Sequence, residues 1–480
     1  MIFLPLFTSL LILSTKKEST IKYLSFISSI TMLIISIFML PKAMTVNMSF
    51  EEKYEWIKSL NINYHLGVDN LSMLMILLVN FLMPIAILSS FSYIKHTIKK
   101  YYFWMMILHS AMIGVFSSLD AVLFYIFWEA ILIPMYFLIG IWGGENRTYA
   151  SVKFFIYTMS ASVLFIVGII ILSLNLKGQG NPSFYIMDLY KNTLSGNLRL
   201  FVFISFFLAF SVKIPLLPFH TWLPDAHVEA PTAASVILAG VLLKMGAYGY
   251  IRFLIPCFPD LSLKYSTIVA FLGAIATIYA GFMAWMQTDI KKLIAYSSIS
   301  HMGLVVLGIF SFNQVALSGS ILQMINHGIS SAALFLAVGI MYERMHTRFI
   351  LDYGGIFKII PFFSTFFMII ILSSIGLPTT NGFVGEFLTI IGAFKSHRFL
   401  ALLSLTGMII GAVYMLSAYE KIFFGSIQRQ NLLKMNDLNI REWIYTIPLV
   451  LAVFFIGIYP DIILSKINEF ATNMLNGVLK

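Results

Sequence analysis

The sequence predicts an all-α, polytopic membrane protein of about 14 transmembrane helices, with helices seven and twelve broken and two inverted five-helix repeats. Three observations carry that prediction. The 480 residues are 59% hydrophobic and 11% charged, with a mean hydropathy of +0.89, which no soluble core requires. Most apolar runs reach the roughly 20 residues that cross a bilayer as a helix, and short alternating segments of the barrel kind are scarce. Two of the runs are interrupted by clusters of Pro and Gly.

In chain order, the apolar windows place spans at roughly 2–14 and 21–41, then a polar loop to about Gly67. The next spans lie near 69–92, 101–118, 119–142 and 150–174. A broken seventh covers about 198–231, followed by 232–256 and 265–286. The last five are near 292–311, 314–341, 357–395 (broken), 399–423 and 442–463. The first run lacks a basic n-region and a small-residue cleavage site, so it reads as a helix and not as a removable signal. Lys and Arg are mildly enriched in loops after odd-numbered spans, which places both termini on the outer side.

The formal charge of +10 would suggest nucleic acid in a soluble protein. Here the cations sit singly in short loops and set topology, so no nucleic-acid partner is expected. One cysteine, Cys257, excludes an internal disulfide and a CxxC redox pair. With no GxGxxG, P-loop or nucleophile triad, electron transfer has to take place in another chain.

The seventh span contains Phe210-Ser-Val-Lys-Ile-Pro-Leu-Leu-Pro-Phe-His-Thr-Trp-Leu-Pro-Asp225. Pro215, Pro218 and Pro224 forbid one continuous helix, and Lys213 arrives at hydrocarbon depth. The twelfth breaks at Gly376-Leu-Pro-Thr-Thr-Asn-Gly382. Five spans separate the breaks, an odd offset that inverts one copy relative to the other and points to an ion site near mid-membrane. The chain divides accordingly into 1–100 (helices 1–3), 101–256 (helices 4–8, the first repeat), 265–423 (helices 9–13, the second) and 424–480 (helix 14 and tail).

Four ionisable residues fall well inside spans: Glu129, Lys213, Lys244 and Glu386. Each costs about 2.5 to 3.5 kcal/mol to insert, less if the charges compensate one another. Glu129 and Lys213 read either as a static ion pair or as a proton-bearing lysine tuned by its partner. At an effective dielectric near 20, charges about 4 Å apart interact by about 4 kcal/mol. Moving one charge through about 150 mV costs about 3.5 kcal/mol. Such a pair can therefore work against a respiratory potential. Lys244 reads as a relay or a snorkelling lysine, and Glu386 as a relay or a buried neutral acid. His301 and His327 read as relays or as packing residues, and His109 as packing. The spacing of His220, Asp225, His227 and Glu229 admits a metal, but their prolines favour a structured loop. Asp69, Asp289 and Glu420 lie at span ends, where capping or solvation is the default.

The segments Phe127-Trp-Glu-Ala-Ile-Leu-Ile-Pro-Met-Tyr136, Val212 to Thr232, Leu242-Leu-Lys-Met-Gly-Ala-Tyr-Gly249, Asp289 to Gly303 and Asn381-Gly-Phe-Val-Gly-Glu-Phe387 together resemble the antiporter-like membrane subunits of respiratory complex I, related to Mrp-type cation/proton antiporters. The likeness covers nearly the whole chain. The branch resembled most is the one called subunit M in bacteria and chain 4 in mitochondria, because sister branches usually present lysine where Glu386 stands. The resemblance implies a proton-translocating subunit of NADH:quinone oxidoreductase in the bacterial inner membrane, or the mitochondrial one, with a Mrp-type Na⁺/H⁺ antiporter subunit as the alternative. Glu129 would modulate Lys213, Lys244 would connect, His301 and His327 would relay, and Glu386 would be the exit acid. It implies no cofactor in this chain, with NAD, FMN, iron–sulfur clusters and quinone held by partner subunits, and neighbours that are themselves antiporter-like.

Overall fold

The computed structural model describes residues 1–44, 48–177 and 182–479. Helices dominate because a backbone in hydrocarbon has to satisfy its own polar groups. In order they are α1 (Phe3–Ser14), α2 (Glu18–Ala43), α3 (Asn70–Tyr93), α4 (Ile98–Ser117), α5 (Ala121–Trp142), α6 (Arg147–Lys177), α7 (Gly196–Lys213), α8 (Trp222–Glu229) and α9 (Thr232–Cys257). Then come α10 (Ser266–Trp285), α11 (Ile290–Ile309), α12 (Gln314–Met345), α13 (Pro361–Ser374), α14 (Asn381–Ser396), α15 (Arg398–Phe423), α16 (Ile440–Ile458) and α17 (Asp461–Val478). Among the described residues, eleven helices are long and apolar enough to cross a membrane, and α1 and α13 are shorter apolar ones. Each expected span coincides with a helix or with a broken pair, α7/α8 and α13/α14.

Two elements depart from expectation. The stretch read as a polar loop contains an antiparallel hairpin, β1 (Ser49–Ile57) with β2 (Ile62–Val68), turned through Asn61 at φ +56°. Its outward side chains are charged, which hides the alternation. The expected tail is the amphipathic helix α17, which lays Ile467, Ala471 and Leu475 inward and is too polar on its other face to register as a span.

The windows of α9 and α12 are wholly buried and those of α3 and α11 are 83% buried, so these helices form the interior. α9 and α12 touch at two glycines, since a Cβ on Gly328 would lie 2.8 Å from the Gly240 carbonyl. α9 is not uniformly α-helical. It widens into π turns at Leu238–Leu242 and Tyr250–Leu254, a feature that recurs at functional sites.

Candidate functional site

The first π turn shapes the centre of the site. Lys244 is fully buried, and its Nζ donates to the Ala239 carbonyl at 2.5 Å and to His327 Nδ1 at 2.7 Å. This excludes the snorkelling reading. His327, on α12, has its other nitrogen buried and without a hydrogen-bond partner. Its ring centroid lies 5.4 Å from that of His301 on α11. His301 Nδ1 in turn lies 2.9 Å from Glu386 Oε1, and Gln323 Nε2 donates to the same oxygen at 3.0 Å. A cavity of about 10 Å³ lined by Ser297, His301, Gln323, Asn326, His327 and Glu386 lies between the rings, room for about one water with several polar partners.

Four sequence-predicted residues, Lys244, His327, His301 and Glu386, thus form a polar row across four helices, interrupted between the two imidazoles. Each interior member of such a row has to donate and accept, which neutral imidazole does. The second break positions its far end. α14 starts after the turn at Gly376, whose φ of +73° suits glycine. Beside it Asn326 and Asn381 exchange hydrogen bonds with each other's carbonyls (2.6 and 3.3 Å), and Ser330 bonds Ser373 at 2.7 Å. Gln323, Asn326, Asn381 and the two serines were not singled out beforehand. Their signal was present in Gln323-Met-Ile-Asn-His327, where polar residues at three- and four-residue spacing flank a buried histidine.

Glu129 and Lys213 form a separate cluster. Lys213, at the end of α7, is buried with no hydrogen-bond partner for Nζ, which sits 5.0 Å above the Trp128 ring. The two residues interact electrostatically, but no ion pair closes within 4.0 Å, so the static-pair reading is corrected. One carboxylate oxygen of Glu129 is buried without a partner, while the Ser162 and Tyr125 hydroxyls lie against the carboxylate.

The proline-rich loop does not converge on a metal. Asp225 pairs with Lys153 at 2.6 Å, Glu229 accepts from the Asn146 backbone at 3.0 Å, and His220 packs edge-on to Tyr279. Among the described residues no group of three His, Cys, Asp or Glu is arranged to hold a metal. His227 was under-read. It is wholly buried, stacked on Phe335 at 4.4 Å, has neither ring nitrogen partnered, and lies within electrostatic reach of Lys244 and Lys291. His109 bonds Asn80 at 2.7 Å inside the helical core. Asp289 and Asp69 cap α11 and α3, and Asp69 also pairs with the buried Arg252.

Comparison with known proteins places this arrangement. The sequence profile of the NADH:quinone oxidoreductase/Mrp antiporter transmembrane family matches residues 118–411. The NADH-quinone oxidoreductase subunit M of Rickettsia prowazekii is 43% identical over 485 residues, covering 99% of this chain and 97% of that one. Respiratory complex I of Thermus thermophilus contains a chain of the same shape, with TM-score 0.91, 28% identity, and coverage of 99% and 98%. A chain of the Mrp complex of Dietzia shares the fold at TM-score 0.85 with 18% identity, covering 100% of this chain and 98% of that one. The chain belongs to the family of antiporter-like membrane subunits of NADH:quinone oxidoreductases and Mrp antiporters, in its subunit M branch.

Proposed function

We propose that this chain is a proton-translocating membrane subunit of an inner-membrane NADH:quinone oxidoreductase. It carries no redox group of its own and is driven by chemistry in partner subunits. The observation that carries the reading is the row Lys244–His327–His301–Glu386, with two direct contacts of 2.7 and 2.9 Å and a water-sized gap between the imidazoles. A proton on Lys244 passes to His327 Nδ1 as the opposite nitrogen releases its own toward the gap. His301 takes that proton up and delivers one to Glu386. Lys213 holds the preceding charge, and Glu129 sets how readily it lets go, because a carboxylate that interacts with the ammonium favours its charged form. His227 offers a side entry toward Lys291. The breaks at α7/α8 and α13/α14 are assigned to the two inverted repeats, 101–256 and 265–423, and the flanking partners to antiporter-like subunits of the same complex.

The relatedness to Mrp chains makes cation/proton exchange the competing reading, and the acid at 386 argues against it. The test uses the intact complex in liposomes with His327→Leu. Quinone reduction and dye-reported pumping are expected to fall together by at least about tenfold, the effect of about 1.4 kcal/mol on the barrier. Full pumping in an assembled complex would remove His327 from the path.

A further inference from the structure

We propose that the outer ends of α10, α14 and α15 form a binding site for one anionic phospholipid. Its acyl chain fills an apolar cleft between α10 and α15, and its phosphate meets Lys264, Lys395 and Arg398. The site stands apart from the polar row and holds whether or not that row carries protons.

α10 and α15 close on each other in mid-span, where a Cβ on Gly407 would come within 2.7 Å of the Thr277 methyl and one on Gly281 within 3.3 Å of Ile410. Toward their outer ends a cavity of about 450 Å³ opens, walled by Thr267, Ile268 and Phe271 of α10 and by Arg398, Phe399 and Leu400 of α15. That is the size of a small-molecule site. Its walls are apolar and bare, since Ile268 is 58% exposed, Phe271 46% and Phe399 71%. It spans the first turn of two membrane helices, the depth at which glycerol and the upper acyl chain lie. α14 and α15 are joined through His397 alone, which also borders the cavity. Lys395 precedes His397 by two residues and Lys264 precedes Thr267 by three. Neither lysine Cα can therefore be more than about 11 Å from the cavity wall. All three basic side chains are exposed.

Any lipid can lay an acyl chain in such a cleft, so it is the charge around it that selects the headgroup. The three cations gather on the side that the loop charges assign to the outside, where topology disfavours Lys and Arg. Acidic neighbours do not compensate them. Among the described residues none of the three is in an ion pair, and Asp260, the acid nearest Lys264 in sequence, is engaged by Arg199. The helix dipole accounts for Lys395 in the last turn of α14, but it opposes Arg398 at the start of α15. What the lysine and the arginine do touch is aromatic: Lys264 Nζ lies 5.4 Å from the Tyr265 ring and Arg398 Cζ 5.9 Å from the Phe394 ring. Such contacts lay the long stems along apolar surface and leave the charged heads in the headgroup layer. A phosphodiester supplies the missing negative charge there, and the guanidinium can take two of its oxygens. A zwitterionic headgroup brings a cation of its own, so a net-negative one is preferred. An acidic side chain from a protein neighbour would have to be desolvated at this depth, a cost that a lipid phosphate avoids.

The experiment uses liposomes holding the intact complex and two probes, phosphatidylglycerol and phosphatidylcholine carrying the same photoactivatable acyl chain, with crosslinked peptides mapped by mass spectrometry. At equal amounts phosphatidylglycerol is expected to label residues 267–271 and 397–402 at least about tenfold more than phosphatidylcholine. The triple variant Lys264→Gln/Lys395→Gln/Arg398→Gln should bring that ratio to about one and leave quinone reduction unchanged. Equal labelling of the unsubstituted complex by both probes overturns the proposal, because the cleft is then ordinary bilayer-facing surface. Absence of labelling by either also overturns it, since a neighbouring subunit then covers the cleft. So does a ratio that survives in the triple variant. If the triple variant does not assemble, Arg398→Gln alone is read by the same criteria, with a fall of at least about threefold expected.

Discussion

Gly376 and Glu386 are fitted to one another: a Cβ on Gly376 would come within 2.7 Å of Glu386 Oε2, at a residue whose φ is +73°. The glycine thus makes the turn that breaks the span and also leaves room for the carboxylate at the end of the polar row. Gly376→Ala is expected to cost about 1–2 kcal/mol from the left-handed backbone alone. It should also displace the carboxylate from His301. The measurement is the thermal transition of the complex together with its pumping, and pumping should fall further than the stability loss accounts for.

Glu386 accepts from Gln323 and lies 2.9 Å from His301 Nδ1; under the proposed function it is the group at the end of the row that gains and loses the proton. Glu386→Gln removes that capacity and is expected to lower pumping at least about tenfold. Glu386→Lys keeps a protonatable group and is expected to be tolerated better. The reverse ranking in proteoliposome pumping assays would contradict the exit role.

Glu129 and Lys213 interact without touching, and an open pair of this kind has to change during turnover if it is to act. Glu129→Gln should leave the complex assembled, because the carboxylate forms no ion pair whose loss would strand a buried charge. NADH-driven quinone reduction is expected to slow severalfold and pumping with it. Unaltered rates would exclude Glu129 from the mechanism.

Much of this was legible in the residue order, and what escaped notice has physical reasons. Hydrocarbon imposes one length and one polarity on every span, so the apolar windows coincide with the eleven helices that, among the described residues, are long and apolar enough to cross, and Pro215, Pro218 and Gly376 marked both breaks. Of the charged residues that stood out inside spans because their burial is costly, Lys244 and Glu386 fall in the polar row, and Glu129 and Lys213 in a second cluster. The hairpin was missed because Glu51, Glu52, Lys53 and Glu55 interrupt the alternation that reveals a strand. α17 was missed because a helix with a single apolar stripe has no continuous apolar run. The partnership of Arg252 with Asp69, 183 positions apart, and the seat of the Lys213 ammonium over the Trp128 ring depend on tertiary contacts that no local pattern carries. Local composition likewise left no trace of the π turn that turns the Ala239 carbonyl to Lys244.

The two helices that present Lys244 and His327 lie wholly inside the protein. Other helices cover their most apolar stretches, so bilayer thickness, fluidity and headgroup chemistry act on the surrounding helices first. The polar row is thereby set apart from membrane remodelling, and the same hydrogen-bond geometry can serve cells whose lipids change with temperature or growth phase.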